Sequence, residues 1–583
     1  MTNSAQKPHD ISARDSALDI QQSWIVQAPA GSGKTGILVY RMLKLLAVVQ
    51  QPEQVLAITF TRKAAKEMRD RLLSLLIRAD SGESSEDDFE AIGIDLAKAV
   101  LKNDAKHGWQ LLNMPHRLNI ETIDALCARL VATMPWLSRL GEKPQTTEKP
   151  EQHYQFAIEQ LLLELLDQDS DIQQDLIALL LSQENNFRKI RNLLQPMLSR
   201  RDQWLRHFLG KDLQRSQTDL EETWRSISEA MLSDLLASVP IGAKDTLIKL
   251  THFSAKQRVD QEMQKSPRER NPAKLNFPAA VFIEQQRFPR ADFADIDLWL
   301  GIREMLLTKK GSDYQLRKQV TKTQGFPTDF PDEKAQFKQL LADLENAPDF
   351  IEKLANIELI PPASFNDEQW EQLLILEKVL RRLLAHLQLR FHNAKECDFT
   401  EVSLRANQAL DDLGEPTDLA LRMDYQIQHI LVDEFQDTSH AQFSLLKNLT
   451  RGWQKGDGRS LFLVGDPMQS IYRFREADVG LFIKLSEARG RINDIDLKPL
   501  VLSENFRSQK SLVDWFNQVF EVSFPKQNNE TKGAIVYSPA SSHKPEQDKP
   551  QFHAFHTEAK EAEHVVALVN QAIVREDRRA TDM

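Results

Sequence analysis

The chain has 583 residues, of which 41% are hydrophobic and 27% charged, and its formal net charge is −11 at pH 7. A chain of this length does not fit around one hydrophobic core, so several domains are expected. The negative charge argues against a surface uniformly attracted to nucleic acid, although it permits a local basic groove. No apolar run approaches the length of a membrane span and residues 1–10 are polar, which predicts a cytoplasmic protein with no membrane partner.

The positions of the two cysteines bear on whether the chain has a cysteine-based metal site. Cys127 and Cys397 are far apart in the sequence and have no CxxC spacing. This arrangement excludes a cysteine-based metal site and predicts reduced, buried thiols.

The first strong pattern is the stretch 24–35, in which a short apolar run leads through small residues into Gly33-Lys34-Thr35. An apolar segment at 37–49 predicts a helix, so the order is strand, loop, helix, as in a phosphate-binding loop. Backbone N–H groups and the helix N-terminus would face the phosphates, with Lys34 on the terminal phosphates and Thr35 on Mg²⁺. A turn without a ligand is the alternative, which the Lys-Thr pair at this spacing disfavours. We therefore predict nucleotide binding by Ala28, Gly31, Ser32, Gly33, Lys34 and Thr35.

A second apolar run, residues 55–61, predicts a buried strand followed by a cation-rich helix. On this helix Lys63 and Lys66 share one face, and Arg62, Lys66 and Arg69 are spaced to do the same. A solvated charged face is the usual explanation of such a run. Here the run begins at the C-terminal end of a strand, where open α/β sheets bind their ligands, so we favour a phosphate contact. A further predicted strand, 118–124, also ends in polar groups, and the prolines of 135–150 predict a domain boundary.

Residues 150–395 differ in character, with long stretches of helical periodicity that prolines interrupt. We find no catalytic constellation in this region. Two basic segments with interleaved aromatics, 187–206 and 309–322, are able to bind single-stranded nucleic acid by stacking and charge. Helix packing and surface solvation explain them equally well, so both interpretations stay open.

Regular α/β character returns with the apolar run 430–432, which ends in Asp433 and Glu434, and with the run 460–466. A further predicted strand, 499–502, leads into the polar stretch 503–508. Nucleotide hydrolysis needs a metal ligand and a group that activates the attacking water. Asp433 at a strand tip suits the Mg²⁺ role, and Glu434 beside it suits the water-activating role.

Several stretches, in the order of the chain, resemble motifs of the UvrD/Rep type of superfamily-one DNA helicases. After the phosphate-binding loop they are a first DNA-binding motif at 60–68, with Arg62 where asparagine is usual, Asp433-Glu434-Phe435-Gln436-Asp437, a third motif at 465–475 and Glu504-Asn505-Phe506-Arg507-Ser508. Within the family the chain is most similar to the RecB and AddA type, the helicase-nuclease branch that includes the exonuclease V beta subunit. The stretches 122–127, 398–400 and 307–327 and the long helical insertion carry that similarity.

The resemblance implies roles for further residues. Gln469 would sense the γ-phosphate, Arg507 would stabilise charge on it in the transition state, and Phe506 would pack on the adenine. The path of single-stranded DNA would be lined by Phe60, Thr61, Lys63, Thr122, Tyr472 and Phe474. Core packing is the alternative for Tyr472 and Phe474, and an ion pair with Glu504 is the alternative for Arg507.

The sequence also departs from the family pattern. Gly36 stands where many relatives have an arginine that helps to hold the adenine, and the glutamine that reads the base is not identifiable. The fifth and sixth motifs and a nuclease domain are absent from the 583 residues. The expectation is therefore the N-terminal portion of a longer protein, or a truncated product.

These patterns predict an α/β P-loop NTPase with RecA-like motor domains, the first of them split by a large, mainly helical insertion. The expected domains are residues 1–140 and 396–495 for the first motor domain, 141–395 for the insertion and 496–583 for part of a second motor domain. The resemblance implies an ATP- and Mg²⁺-dependent helicase that moves 3′ to 5′ on single-stranded DNA in double-strand break repair. The expected partners are single-stranded DNA, DNA ends and a further protein of a helicase-nuclease complex. The alternatives are a binding module without efficient motor activity and, more remotely, a P-loop kinase of small substrates.

Overall fold

In a computed structural model, parallel strands from both ends of the chain join in one sheet, and the helix-rich middle forms a second compact unit. The structure describes residues 8–85, 88–133, 145–208, 213–310, 313–412, 414–471, 477–487, 490–530, 533–546 and 550–576. The first unit comprises residues 1–159, 191–203 and 385–583, and the second comprises 160–190 and 204–384.

The strands of the described residues are β1 (Trp24–Gln27), β2 (Val55–Thr59), β3 (Asn119–Thr122), β4 (Gln145–Thr146), β5 (Leu307–Lys310), β6 (Asp313–Leu316), β7 (Glu396–Cys397), β8 (Asp411–Asp412), β9 (Glu415–Pro416), β10 (His429–Val432), β11 (Ser460–Gly465), β12 (Arg491–Ile492), β13 (Ile495–Asp496), β14 (Lys498–Val501), β15 (Glu504–Gln509) and β16 (Ser541–Lys544). The α-helices are α1 (Ile11–Ala17), α2 (Lys34–Leu46), α3 (Arg62–Asp80), α4 (Asp88–His107), α5 (Ile123–Thr133), α6 (Glu151–Leu163), α7 (Gln173–Ser182), α8 (Phe187–Ser199), α9 (Arg201–Phe208), α10 (Leu213–Ala237), α11 (Ala243–Met263), α12 (Val281–Glu284), α13 (Ile296–Leu306), α14 (Pro331–Leu344), α15 (Pro348–Ala355), α16 (Asp367–Ala394), α17 (Phe399–Leu410), α18 (Asp418–Gln426), α19 (His440–Leu449), α20 (Val479–Ser486), α21 (Lys510–Ser523) and α22 (Glu558–Glu576).

The main sheet of the first unit has the strand order β14-β1-β11-β10-β2-β3, and every neighbouring pair in it is parallel. Strands β2, β10 and β11 are buried along their whole length. Continuous apolar runs of this kind are typical of parallel strands that helices cover on both faces. The predicted α/β class is therefore confirmed.

Helix α2 supplies much of the core that packs against this sheet. Its residues Leu38, Met42 and Leu45 are fully buried, and they join one hydrophobic cluster with Val26 of β1 and Phe462 of β11. Burial of such side chains stabilises the fold by about 1.5–3 kcal/mol each. The helix that follows the phosphate-binding loop is thus fixed rigidly to the sheet.

One predicted strand, 118–124, is shorter than expected. Strand β3 ends at Thr122, and helix α5 begins at the next residue. The reason is a helix cap, because the Thr122 hydroxyl accepts a hydrogen bond of 3.1 Å from the N–H of Ala125. The apolar pattern of the predicted strand therefore includes the first turn of the helix.

The second unit is mainly helical, and its core contains the fully buried side chains of Phe282, Trp299 and Phe326. The basic segment 309–322 includes part of the hairpin of β5 and β6, where Lys309 lies opposite Tyr314. The Tyr314 ring already packs against the Arg303 guanidinium, whose carbon lies 4.5 Å from the ring centre. Packing within the unit therefore accounts for this aromatic side chain, and the DNA-binding interpretation of the segment stays a prediction.

A buried ionic cluster holds residues 191–203 in the first unit. The fully buried Arg201 guanidinium lies 2.5 Å from the Asp398 carboxylate and 3.0 Å from that of Glu401. The Tyr154 hydroxyl donates to Asp398 as well, at 2.5 Å. Removal of one partner from such a cluster leaves an uncompensated buried charge, so the cluster fixes the position of this segment. Arg201 belongs to the basic segment 187–206, and packing accounts for this cation.

The predicted state of the cysteines is confirmed, since Cys127 and Cys397 are both buried free thiols. Burial raises the pKa of each thiol to about 12, with nearby carboxylates adding to the shift. Neither thiol is therefore ionised at neutral pH. Across the described ranges we find no helix with the length and apolar character needed to cross a membrane.

Candidate nucleotide-binding site

The site lies where the parallel strands of the main sheet end. Strand β1 leads into the loop 28–33, β10 leads into Asp433 and Glu434, and β11 leads into Asp466. Because all these strands are parallel, their carboxyl ends meet at one edge of the sheet, where open α/β sheets bind ligands. The sheet thus brings together residues that lie hundreds of positions apart in the sequence.

The loop itself requires glycine at two positions. Gly31 and Gly33 have φ angles of 82° and 78°, in the left-handed region that other residues adopt only with strain. A Cβ atom on Gly31 would lie 2.6 Å from the Asn505 side chain, so space also demands glycine there. Gly33 caps helix α2, which places Lys34 and Thr35 in its first turn. This is the geometry that the sequence predicts for a phosphate-binding loop.

The carbonyl groups of the loop point to neighbouring donors. The Asn505 amide donates to the Ala30 carbonyl at 3.1 Å, and the Phe506 N–H donates to the Gly31 carbonyl at 2.8 Å. The Ser32 hydroxyl is buried and, among the described residues, has no hydrogen-bond partner. Buried polar groups are rarely left unpaired, so this hydroxyl fits a loop that receives phosphate oxygens.

Lys34 lies against the two carboxylates that the sequence assigns to catalysis. Its Nζ atom is 2.6 Å from Oε2 of Glu434 and 3.9 Å from Oδ1 of Asp433. Burial raises the pKa of Asp433 to about 6, against the opposing charge of Lys34 and with a contribution from neighbouring Glu434. Glu434 has a φ angle of 53°, an uncommon conformation for a residue other than glycine. Such strain costs on the order of 1–3 kcal/mol and occurs often at functional sites.

Gln436 connects the elements of the site, which the sequence alone did not reveal. Its amide nitrogen donates to Glu434 at 2.8 Å and to Asp437 at 3.3 Å. Its amide oxygen accepts a 2.9 Å hydrogen bond from the N–H of Asp466. The buried Gln436 side chain therefore links the ends of β10 and β11. Its position within the acidic motif was the available signal, but a motif does not show where a side chain points.

Asp466 directly follows strand β11, beside Gln436, and Gln469 lies a few residues further along the chain. The Gln469 amide donates to the Asp466 carboxylate, and the rest of the Gln469 side chain is exposed. Burial raises the pKa of Asp466, opposed chiefly by the hydrogen bond from Gln469. Gln469 is thus anchored at its amide to the end of β11. Its predicted role as a γ-phosphate sensor stays a prediction.

Arg507 is exposed and, within the described part of the chain, forms no ion pair. Glu504, the alternative partner, accepts hydrogen bonds from Ser541 at 3.0 Å and from His543 at 3.1 Å. The Asn505 side chain accepts from the N–H of Arg507 at 2.9 Å, which fixes the backbone of this residue. The Arg507 guanidinium is therefore available to a ligand, as expected of a phosphate-binding arginine.

Four of the six residues assigned to DNA lie at the ends of β2 and β3. Thr61 caps helix α3 by accepting from the N–H of Ala64 at 3.1 Å, and Lys63 is exposed in the first turn of that helix. Phe60 is half-buried, and Thr122 is buried as the cap of α5. Two further predicted contacts, Tyr472 and Phe474, lie outside the described residues.

Arg69, on the same cationic helix, has a structural partner. It donates to the Ile120 carbonyl at 2.5 Å and so ties α3 to β3. This hydrogen bond occupies one nitrogen of the Arg69 guanidinium, and the expected phosphate contact of this helical face stays a prediction. Lys66 is exposed and stays a candidate.

The donor atoms of the site suit Mg²⁺. Thr35 lies in the first turn of α2, and Asp433 directly follows strand β10. Mg²⁺ prefers oxygen ligands and is commonly held by one or two protein groups together with phosphates and water. Among the described residues we find no cluster of three or more histidine, cysteine, aspartate or glutamate side chains that would form a self-sufficient metal site. The residues present therefore fit an ion that binds with the nucleotide.

Fold and site together define a P-loop nucleotide-binding protein of the class that couples a phosphate-binding loop to an acidic strand end. Comparison with known families specifies the class further. The chain belongs to the UvrD/REP helicase family, since the family described as UvrD/REP helicase N-terminal domain matches residues 11–271 and 286–489. This confirms the family that the sequence motifs predict.

Two relatives, each named as one subunit of an ATP-dependent helicase/nuclease, are similar along most of the chain. The protein of Staphylococcus aureus (strain JH9) is 27% identical over 536 residues, which cover 88% of this chain and 39% of the relative. The protein of Desulfitobacterium hafniense (strain DSM 10664 / DCB-2) is 24% identical over 569 residues, which cover 91% of this chain and 37% of the relative. The predicted similarity to the helicase-nuclease branch is thereby confirmed. The chain spans about two fifths of the length of these relatives.

Proposed function

We propose that this chain is an ATP-driven motor that moves along single-stranded DNA. The observation that carries the proposal is the convergence of Lys34, Asp433, Glu434 and Arg507 around one glycine loop at the carboxyl edge of the sheet. The Lys34 ammonium lies 2.6 Å from the Glu434 carboxylate, and Asp433 is 3.9 Å from the same nitrogen. A cation, a metal ligand and a candidate base are the parts that nucleotide hydrolysis requires.

Each residue has one task in the proposed reaction. Lys34 and the loop N–H groups bind the phosphates, and Glu434 accepts a proton from the attacking water. Arg507 and Gln469 contact the γ-phosphate, where the positive charge of Arg507 stabilises the transition state. Mg²⁺, held by Thr35 and Asp433 when bound, would neutralise phosphate charge.

The DNA path in this proposal runs along the ends of β2 and β3. Phe60, Tyr472 and Phe474 would stack on bases, which binds single strands with little sequence preference. Thr61, Thr122 and Lys63 would contact the backbone. We propose movement from 3′ to 5′, following the family resemblance.

The strand order of the main sheet supports a proposed domain organisation. Strands β1–β3 and strands β10, β11 and β14 share one sheet, although the second unit separates them in sequence. We propose that residues 1–140 and 396–501 form the first motor domain, split by an insertion at 141–395. The boundary at residue 495 that the sequence predicts comes too early, because β14 pairs with β1 in this sheet. Residues 502–583 would contribute to a second motor domain.

The name of the relatives, which describes one subunit of a helicase/nuclease, suggests an assembly of more than one chain. We propose a helicase-nuclease complex that acts at DNA ends in double-strand break repair, in which this chain binds a second subunit. Similarity along 88% of the chain supports this proposal.

A streptavidin-displacement assay tests direction and motor activity together. Oligonucleotides with biotin at the 5′ or the 3′ end are incubated with the protein, ATP and Mg²⁺. Movement from 3′ to 5′ predicts rapid release of streptavidin from the 5′ end alone, and no release by the Glu434→Gln variant. Faster release from the 3′ end would contradict the direction, and release by Glu434→Gln equal to wild type would contradict the motor.

A further inference from the structure

We propose that Arg14 is a positioning residue of the nucleotide site, which holds the phosphate-binding loop and, through Asp10, ties it to the segment that carries Arg507. The inference rests on the proposed function and adds a residue to it. The contacts that carry it involve helix α1, which precedes the loop in the sequence and contributes none of the predicted site residues.

Three consecutive carbonyl groups of the loop are held from outside. Asn505 donates to Ala30, the Phe506 N–H donates to Gly31, and Nη2 of Arg14 donates to Ser32 at 2.8 Å. A backbone that turns its carbonyl groups outward presents its N–H groups inward, which is the arrangement that binds phosphate. Arg14 completes this set, and it is the member that lies outside the motif at 504–508.

Arg14 is itself held by a second residue of the same segment. Its Nε and Nη2 atoms donate to the Asp10 carboxylate at 2.6 and 2.9 Å, a bidentate pair. The other interactions of Asp10 lead away from the loop, because Oδ2 accepts from the N–H groups of Ser503 at 2.9 Å and Glu504 at 3.1 Å. The connection therefore runs from Ser32 through Arg14 and Asp10 to the start of β15.

Burial makes this connection rigid. The side chains of Arg14 and Asp10 are 5% and 4% exposed. A buried ion pair is stable only when its hydrogen-bonding groups are satisfied, and here the carboxylate accepts from the guanidinium and from two backbone N–H groups. Although burial alone would raise the pKa of Asp10, hydrogen bonds from Arg14 and from the backbone of Glu504 and Ser503 hold it below its usual value. Asp10 is therefore ionised at neutral pH and keeps Arg14 in place.

The connection ends beside a predicted catalytic group. The Arg14 guanidinium lies over the Phe506 ring, with its carbon 4.8 Å from the ring centre, and Arg507 is the next residue. The phosphate-binding loop and Arg507 must keep a fixed spacing if both are to contact the same phosphates. Small displacements of either one would reduce the rate of hydrolysis strongly. Arg14 touches neither reacting group, so its contribution is to position them.

The test uses the whole chain and two measurements, the Kd of fluorescent mant-ADP and the steady-state hydrolysis of ATP. Loss of a hydrogen bond from a charged donor predicts about tenfold weaker mant-ADP binding by Arg14→Ala, with a further fall in kcat. Methylguanidinium in solution should restore part of the mant-ADP affinity and part of the kcat, because it fills the space that the Arg14 side chain leaves. The matched control is Arg117→Ala, which removes a guanidinium that pairs with Glu53 at 2.8 Å and has no contact with the loop.

A folded Arg14→Ala protein whose Kd and kcat stay within about twofold of wild type would overturn the proposal. A loss that methylguanidinium leaves unchanged would overturn it as well. If Arg14→Ala does not fold, Asp10→Asn serves instead, with a lower kcat expected and an unchanged kcat contradicting the inference. A wild-type protein that binds mant-ADP without hydrolysing ATP would refute the proposed motor, while the binding titration would still test Arg14.

Discussion

Lys34 of the phosphate-binding loop and Glu434 at the end of β10 form a direct ion pair, with Nζ 2.6 Å from Oε2. The two side chains are 15% and 32% exposed, so the pair is partly shielded from water. A terminal phosphate that binds Lys34 competes with this carboxylate for the same ammonium group. The ion pair therefore sets the affinity for nucleotide as well as the position of the candidate base.

Glu434→Gln should consequently bind nucleotide more tightly than wild type while it loses hydrolysis. Removal of the competing negative charge is worth about 1 kcal/mol for a partly exposed pair, which corresponds to about fivefold in the Kd of a non-hydrolysable ATP analogue. Equilibrium titration measures this change. Glu53→Gln, which breaks an ion pair with Arg117, is the control and should bind as wild type does. Weaker binding by Glu434→Gln would contradict the competition.

Asp437→Asn should stabilise the fold at neutral pH. Burial raises the pKa of Asp437 to about 6, and the charge of Glu434 adds to the shift. Because the folded state retains this proton where the unfolded chain has lost it, stability falls as pH rises from about 4 to about 6 and then levels off. Asparagine does not ionise, so the variant keeps its stability as the pH rises. Its free energy of unfolding should therefore exceed that of wild type by about 1–2 kcal/mol at pH 7.5.

Urea unfolding between pH 4 and pH 8 measures the effect of Asp437→Asn. The difference from wild type should shrink as the pH falls toward about 4, because the carboxyl group is then protonated in the folded state and partly protonated in the unfolded chain. Asp95→Asn, at a carboxylate that is 74% exposed, is the control and should show no such pH dependence. A constant difference at every pH would assign the effect to packing instead of to the charge.

Much of this fold is predictable from the sequence, because continuous apolar runs such as 430–432 and 460–464 become buried parallel strands. The loop at 28–35 is equally predictable, because its glycines and the first residue of the following helix lie within a few positions of one another. Asp10 and Arg14 are different. An acidic and a basic residue four positions apart on a short helix are typical of a solvated surface. Their burial depends on the segment 503–506, which lies almost five hundred residues later, and no local pattern encodes that contact.

Gln436→Ala should destabilise the protein and slow hydrolysis. The Gln436 side chain is the acceptor for the buried N–H of Asp466 at 2.9 Å, and a buried N–H without an acceptor costs about 1–3 kcal/mol. Loss of the link between β10 and β11 should also reduce kcat. Urea unfolding and ATP turnover measure the two effects, with Gln339→Ala at an exposed glutamine as the control. Wild-type stability of Gln436→Ala would contradict the structural role.

The cationic face of α3 should contribute to DNA binding through charge. The double variant Lys63→Ala/Lys66→Ala removes two exposed cations, so its affinity for oligo(dT) should fall. The slope of log Kd against log salt should decrease by about 1–2, as expected for one or two lost phosphate contacts. Lys98→Ala/Lys102→Ala, which removes two exposed cations of α4, is the matched control. An equal loss in both double variants would show that net charge, and not this face, determines the affinity.

ATP hydrolysis with and without single-stranded DNA, by wild type and by Glu434→Gln, tests directly whether this chain is a motor. Glu434 is 2.6 Å from Lys34 and is assigned to water activation, so the variant should bind nucleotide and fail to hydrolyse it. A working motor site predicts wild-type hydrolysis that single-stranded DNA stimulates strongly, and no stimulation in Glu434→Gln. Nucleotide binding by wild type without hydrolysis, whether or not DNA is present, would contradict a motor and leave the chain a nucleotide-binding module.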